Sequence, residues 1–130
     1  MPRQVFAGTV LFMIAWGGFA VGLGGAATSP TPAPTPGLTV TLIAREFLYE
    51  PKQAVAKTGE VTFSVKNTGS VEHDFAVEDA AKKMLAQVTA FAPGKTIQVK
   101  AKLAAGNYKI YCSIPGHREA GMEATLKVVQ

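Results

Sequence analysis

Cysteine and histidine are scarce in this chain, which has one cysteine, Cys112, and two histidines, His73 and His117, among 130 residues. A single thiol excludes an internal disulfide framework. It also excludes zinc fingers and iron-sulfur clusters, because those sites need several thiolates. The net charge is only +4, and the sequence has no basic stripe interleaved with aromatic residues, so nucleic-acid binding has little support. A glycine-rich phosphate loop is also missing.

Charged residues are absent from a long amino-terminal run, Val5 to Ala27, which follows Arg3. As a helix, this run would span roughly 35 Å, which is enough to cross a bilayer. We therefore predict that residues 1–27 form a signal-anchor or a signal peptide. The positive-inside rule places the following domain outside the cytoplasm, in the periplasm or at the outer cell surface.

Residues 28–37 alternate proline with small residues, a composition that favours a semi-rigid polyproline II linker. A spacer of this kind is useful mainly if its other end stays attached. The linker therefore favours a membrane anchor formed by residues 5–27. A cleaved signal peptide stays an alternative, because Gly25-Ala26-Ala27 resembles a cleavage site. Residues 38–130 are predicted to form the folded domain.

From Leu38 onward, short runs rich in Val, Thr, Ile and Phe are separated by Gly, Asn and Pro, and no long segment has helical periodicity. This pattern predicts an antiparallel all-β fold, a Greek-key β-sandwich of seven to eight strands behind an N-terminal hydrophobic helix. Residues 79–85 fit either a helical turn capped by Asp79 or a loop. The run 103–108 resembles a tyrosine corner, in which Tyr108 bonds to the backbone. The predicted strands are 38–44, 53–57, 61–66, 73–77, 87–91, 96–103, 108–112 and 123–129.

One loop near the carboxyl end contains three metal donors, the thiol of Cys112, the imidazole of His117 and the thioether of Met122. Taken singly, such residues are more often core or surface residues than ligands. Together, sulfur and imidazole donors favour copper, and two histidines, a cysteine and a weak axial methionine form a blue-copper arrangement. His73, the remaining histidine, can reach the loop only through the tertiary fold. Pro115-Gly116 suits the centre of a tight turn that would return His117 toward Cys112.

Three motifs give the segment 38–130 a resemblance to a known family. They are Cys112-x4-His117-x4-Met122, Gly106-x-Tyr108-x-x-Tyr111 and Asn67-Thr68-Gly69-x-x-x-His73. In these motifs the chain resembles the cupredoxins, the small type 1 blue copper proteins. The loop spacing is most similar to that of rusticyanin and auracyanin.

The resemblance implies both a site and a function. It implies one type 1 copper ion, held by His73, Cys112 and His117 with Met122 as the axial ligand, that carries one electron between copper(I) and copper(II). His117 would be the solvent-edge ligand, and a redox donor and a redox acceptor would dock near it. The docking patch would consist of Ile114, Pro115 and Ala120. We expect the soluble domain to be monomeric.

Two other functions stay open on sequence grounds. One is an extracytoplasmic copper carrier that delivers or sequesters the ion, although such carriers more often use exposed clusters of methionine and histidine. The other is a metal-free adhesion sandwich. Enzymatic copper chemistry is not expected, because it would need an open coordination position and further histidines, and a binuclear centre would need a second cysteine.

One residue departs from the family pattern. Several relatives carry asparagine or serine after the first histidine ligand, whereas this chain has Asp74. If the Asp74 carboxylate reaches the backbone near Cys112 or Ser113, its charge would favour copper(II) and lower the reduction potential.

Overall fold

The computed structural model describes residues 22, 24, 25 and 37–130. Apart from these three glycines and Gly37, the predicted N-terminal helix and the proline-rich linker lie outside the described residues. In the part of the chain that is described, no helix is long and apolar enough to cross a bilayer. The domain boundaries near residues 27 and 37 stay predictions.

The regular structure of the described residues consists of nine strands and no helix, which confirms the predicted all-β class. Three predicted strands match at both ends, those at 53–57, 96–103 and 123–129. The strands in chain order are β1 (Thr39–Arg45), β2 (Leu48–Glu50), β3 (Gln53–Lys57), β4 (Gly59–Asn67), β5 (His73–Glu78), β6 (Met84–Phe91), β7 (Thr96–Leu103), β8 (Gly106–Tyr111) and β9 (Glu123–Val129).

Two sheets form a sandwich, with strand orders β2-β1-β4-β7 and β3-β9-β8-β5-β6. Most neighbouring strands are antiparallel, but β1 pairs with β4 and β3 pairs with β9 in parallel. The prediction of a purely antiparallel fold is therefore wrong at these two pairs. Alternation of apolar residues identifies the buried face of a strand but not the direction of its partner. The sequence therefore did not distinguish parallel from antiparallel pairing.

The core lies between the sheets and is built from the inward-facing residues of each strand. In β4, the alternating residues Val61, Phe63 and Val65 are fully buried. The rings of Phe63 and Phe75 lie 5.2 Å apart and join the four-stranded sheet to the five-stranded one. Aromatic pairs at this separation add to the free energy gained by burial.

Three local details extend or correct the sequence prediction. Strand β2 was not predicted, so the described residues have nine strands rather than the predicted seven to eight. Residues 79–83 form a loop rather than a helical turn, and the Asp79 carboxylate accepts hydrogen bonds from the N–H groups of Ala81 and Lys83, both at 2.9 Å. The tyrosine corner is present, since the Tyr108 hydroxyl donates to the Ala104 carbonyl at 2.7 Å.

Strand β5 is buried on both faces, which is unusual for a two-sheet sandwich. Its inward residues Phe75 and Val77 belong to the core, but Asp74 and Glu78, on the opposite face, are only 6% and 5% exposed. The loop between β8 and β9 covers them, because Ser113 and Arg118 bond to these two carboxylates. The fold therefore places this loop across the end and the outer face of the strand that begins at His73.

Candidate metal centre

The loop after β8 is fastened by backbone hydrogen bonds. The N–H of His117 donates to the Ile114 carbonyl at 3.0 Å, and Gly116 has a φ of 87°. These are the features of a type II turn with Pro115 and Gly116 at its centre, where the third residue needs a positive φ. The predicted tight turn at Pro115-Gly116 is thus confirmed, and it directs His117 back toward Cys112.

Met122 is held between the other two donors of the loop. Its N–H donates to the His117 carbonyl at 3.0 Å, and its carbonyl accepts the N–H of Cys112 at 3.2 Å. The Met122 side chain is fully buried. The chain therefore closes around itself between Cys112 and Met122, so that three residues spread over the loop become neighbours.

His73, at the start of β5, meets this loop in space. One donor atom each from His73, Cys112 and His117 forms a group whose members all lie within 4.8 Å of one another. The Nδ1 atoms of the two histidines are 3.3 Å apart, and the Cys112 Sγ lies 3.5 Å from the His117 Nδ1. The structure thus brings together the donor atoms of His73, Cys112 and His117, three of the four residues that the sequence singled out. Their role as ligands stays a prediction.

The convergence of these groups fits a metal ion better than it fits a packed core. Two imidazoles and a thiol share one small volume, with one donor atom of each within 4.8 Å of the others. A thiolate with two neutral imidazoles is a donor set that copper and zinc accept, and an additional methionine favours copper.

Burial controls the protonation of the donors in the absence of metal. It raises the pKa of the Cys112 thiol to about 11, against a weaker opposite effect of backbone hydrogen bonds. It lowers the pKa of His73, and the nearby His117 adds to this effect. At neutral pH the metal-free site therefore holds a protonated thiol and a neutral His73, so a metal that binds the thiolate displaces one proton.

The Asp74 carboxylate reaches the backbone beside Cys112. The predicted effect of Asp74 on the reduction potential depends on this contact. Its carboxylate accepts the Ser113 N–H at 2.5 Å and also bonds to the Ser113 hydroxyl. The N–H of Asp74 itself points at the Cys112 sulfur, 3.5 Å away. Asp74 therefore ties β5 to the loop and places one backbone donor against the thiol. Its effect on a reduction potential stays a prediction.

Two residues at the site were missed, Glu46 and Phe47, which form the turn between β1 and β2. A Glu46 carboxylate oxygen lies 3.6 Å from the His73 Nε2. The Phe47 ring contacts the His117 ring edge-on, with centroids 5.2 Å apart. Phe47 has a φ of 58°, a conformation that bulky residues rarely adopt. Because the turn has no glycine or asparagine, the sequence carried no signal for it.

Arg118, the residue after His117, is the second attachment of the loop to the sheet. Its guanidinium lies 4.0 Å above the Tyr111 ring and bonds to Glu78 at 2.5 Å and to Glu123 at 3.0 Å. The hydrogen bond to Glu78 raises the pKa of Arg118. Together with Lys109, which pairs with Glu123 at 2.7 Å, this cluster fixes the side of the loop that faces the outer surface of the sheet.

Comparisons with known proteins agree with this geometry. Residues 8–125 match the family model of the cupredoxin-like domain. No curated protein matches the sequence. The chain is similar to reduced auracyanin from Roseiflexus castenholzii, with 21% identity and a TM-score of 0.67, over 74% of this chain and 100% of that chain.

Two other solved structures show the same fold. Auracyanin A, a blue copper protein from Chloroflexus aurantiacus, has 20% identity and a TM-score of 0.60, over 72% of this chain and 99% of its own. Reduced rusticyanin has 19% identity and a TM-score of 0.54, over 74% and 83%. With the arrangement of His73, Cys112, His117 and Met122, the family match supports a single type 1 copper site.

Proposed function

Since the chain belongs to the cupredoxin-like family, we propose that it is a one-electron carrier with a mononuclear type 1 copper site. In this proposal His73, Cys112 and His117 hold the ion and Met122 is the axial ligand. Copper, when bound, supplies the one-electron couple between copper(I) and copper(II). The observation that carries the proposal is the group of three donor atoms within 4.8 Å of one another, contributed by β5 and by the β8–β9 loop.

Rigidity is the property of the site that suits electron transfer. The turn that ends at His117 holds the loop, and so do the backbone hydrogen bonds of Met122 with Cys112 and His117. The Asp74 carboxylate also accepts the N–H of Ser113. Donors held in this way change little in position when the charge of the ion changes. A small change in geometry between the two oxidation states keeps the barrier to electron transfer low.

Burial favours an electron carrier over a carrier of copper ions. The side chains of His73, Cys112 and Met122 are fully buried, so an ion held by them would exchange slowly with solvent. Catalysis is not expected, because the two histidines of the sequence are both used as ligands and no open position is left for a substrate.

His117 is the donor through which we expect electrons to enter and leave. It is the one donor of the four that is not fully buried. Pro115 and Ala120, beside it, are exposed, and Ile114 is half-buried. A small apolar patch of this kind suits a transient contact with a redox donor or acceptor protein, because weak electron-transfer complexes use small interfaces.

We propose that the carrier acts outside the cytoplasm and is anchored in the membrane by residues 5–27. The uncharged amino-terminal run, the position of Arg3 and the proline-rich linker support this location. Cell fractionation tests the anchor. We expect the protein in the membrane fraction and accessible to protease added from outside, whereas a protein found in the soluble fraction would indicate a cleaved signal peptide.

Addition of copper(II) to the purified, metal-free protein tests the function. We expect an intense visible absorption from thiolate-to-copper charge transfer, one copper per chain, and loss of this absorption in Cys112→Ser. Fast electron self-exchange with slow metal exchange would support an electron carrier. Slow electron self-exchange with fast metal exchange would support a copper carrier. A visible spectrum that copper(II) does not change would support a metal-free adhesion sandwich.

A further inference from the structure

The two ring nitrogens of His73 have different surroundings. Nδ1 lies 3.3 Å from the Nδ1 of His117 and is the nitrogen that faces the other donors. Nε2 lies on the far side of the ring, is buried, and has no hydrogen-bond partner among the described residues. A neutral imidazole that binds a metal through Nδ1 carries its proton on Nε2, and that N–H then needs an acceptor.

Glu46 is the acceptor that the fold supplies. Its Oε1 is 3.6 Å from the His73 Nε2, roughly half an ångström beyond a good hydrogen bond. The same oxygen accepts the N–H groups of Ser70 at 2.6 Å and Val71 at 3.1 Å, which hold the carboxylate in place. These backbone bonds lower the pKa of Glu46, so the group is a carboxylate at neutral pH. A small movement of either side chain would complete the contact.

The backbone of the turn keeps Glu46 near His73. Arg45 and Leu48 pair across the two strands, which leaves only Glu46 and Phe47 to reverse the chain. Phe47 adopts a φ of 58°, which costs a non-glycine residue conformational energy. Strained residues of this kind persist where the surrounding structure holds them, and they cluster at functional sites. Here the strained turn brings one residue to each of the two histidines.

We propose that Glu46 is a positioning residue for the metal site. Its carboxylate accepts a hydrogen bond from the Nε2–H of His73 when the Nδ1 of His73 holds the ion. The inference rests on the proposed function and adds a residue to it. A carboxylate behind a histidine ligand fixes the tautomer and the orientation of the ring and makes the ligand more basic. The negative charge also favours the more positive oxidation state, so Glu46 lowers the reduction potential.

Three variants of the full chain separate a hydrogen bond to His73 from a general effect of a nearby negative charge. Glu46→Gln keeps the shape and can still accept the N–H groups of Ser70 and Val71, but it removes the charge. Glu46→Ala removes the acceptor as well. Glu72→Gln is the matched control, because Glu72 is exposed and directly precedes His73, so it tests the loss of a nearby negative charge.

The first measurement is the NMR signal of the His73 Nε2–H in the protein loaded with zinc(II) or copper(I), both of which are diamagnetic. We expect a proton that exchanges slowly with water in the wild type and in Glu72→Gln. We expect a shift of this resonance toward that of a weaker hydrogen bond in Glu46→Gln, and fast exchange in Glu46→Ala. If Glu46→Ala does not fold, the comparison of the Nε2–H resonance in Glu46→Gln with that in the wild type tests the proposal.

The second measurement is the reduction potential of the copper-loaded protein. We expect Glu46→Gln to raise it by more than Glu72→Gln does. Identical Nε2–H resonances in the wild type and Glu46→Gln, or equal changes in potential for Glu46→Gln and Glu72→Gln, would overturn the proposal. Because the zinc-loaded protein needs no redox activity, these outcomes are distinct from failure of the proposed function, which would appear as a wild type without thiolate-to-copper absorption.

Discussion

Asp74 connects the two parts of the chain that supply the proposed metal donors. Its side chain bonds twice to Ser113, next to Cys112, and its N–H points at the cysteine sulfur from 3.5 Å. A hydrogen bond to a thiolate withdraws electron density from the sulfur, whereas a carboxylate nearby has the opposite electrostatic effect. The charge of Asp74 and the direction of its N–H therefore act against each other on the copper potential.

Replacement of Asp74 by asparagine isolates the effect of the charge. In Asp74→Asn the side-chain oxygen can still accept from Ser113, but the negative charge is lost, so copper(I) becomes more favourable. We expect the Cu(II)/Cu(I) balance to shift by about tenfold, which corresponds to roughly 60 mV for one electron. Potentiometry of the copper-loaded protein measures this change.

Asp79→Asn is the control for this prediction. Asp79 also accepts backbone N–H groups, but it does so in the loop of residues 79–83. We expect the reduction potential of Asp79→Asn to equal that of the wild type. An unchanged potential in Asp74→Asn would show that the Asp74 charge does not tune the site.

The four proposed ligands differ in how far the sequence could predict them. Cys112, His117 and Met122 are close in the chain, so their spacing alone indicated a site. His73 was inferred because it is the other histidine of the sequence, and only the fold shows that it reaches the loop. Glu46 could not be inferred, since its contact with His73 depends on a two-residue turn that has no turn-forming residue.

The β8–β9 loop is the element on which the site depends, and Arg118 braces its outer side. Arg118 bonds to Glu78 and Glu123 and stacks on Tyr111. The Glu78 side chain is 7% exposed and the Arg118 side chain 34% exposed, so this ion pair is partly shielded from solvent. Loss of the arginine would leave the Glu78 carboxylate buried without its partner.

We expect Arg118→Ala to lower the free energy of unfolding of the metal-free protein by about 2–3 kcal/mol, less than for a fully buried pair because the guanidinium is partly exposed. Urea unfolding measures the loss. Glu78→Gln in the Arg118→Ala background should restore part of the stability, because a neutral amide costs less to bury than a carboxylate.

Lys100→Ala is the comparison for the arginine variant. Lys100 pairs with Glu60 at 3.1 Å, but the two side chains are 63% and 61% exposed. Ion pairs in such positions contribute about 0.5 kcal/mol or less. A loss in Arg118→Ala no larger than that in Lys100→Ala would mean that the cluster does not brace the loop.

At the scale of elements, periodicity predicted the strands better than it predicted their ends and partners. β4, whose apolar residues alternate, was recognised readily. β2 has three residues, too few to show a period, and it was missed. β5 is buried on both faces because the β8–β9 loop covers its second face, and the residues of β5 itself give no sign of this loop.

For the whole molecule, the cluster around Glu123 links stability to pH. The hydrogen bond from Lys109 lowers the pKa of Glu123, and Arg118 adds to this effect. A carboxyl group whose pKa is lower in the folded state stabilises the fold above its unfolded pKa of 4.5, and this contribution disappears as the pH falls through the folded pKa.

We therefore expect Glu123→Gln to be less stable than the wild type at neutral pH and to approach it in acid. Urea unfolding of the metal-free protein between about pH 7 and pH 3 measures both curves, and the wild-type curve should fall more steeply below about pH 5. Parallel curves over this range would show that the native contacts of Glu123 do not contribute in this way.

A single ion that unites β5 with the β8–β9 loop is the central claim for the whole molecule. A crystal structure of the copper-loaded protein, with anomalous scattering measured at the copper edge, tests this directly. We expect one copper peak, bonded to the Nδ1 atoms of His73 and His117 and to the Cys112 sulfur, with the Met122 sulfur along the axis. A copper peak elsewhere on the protein, or one without His73 or Cys112 among its ligands, would contradict this claim.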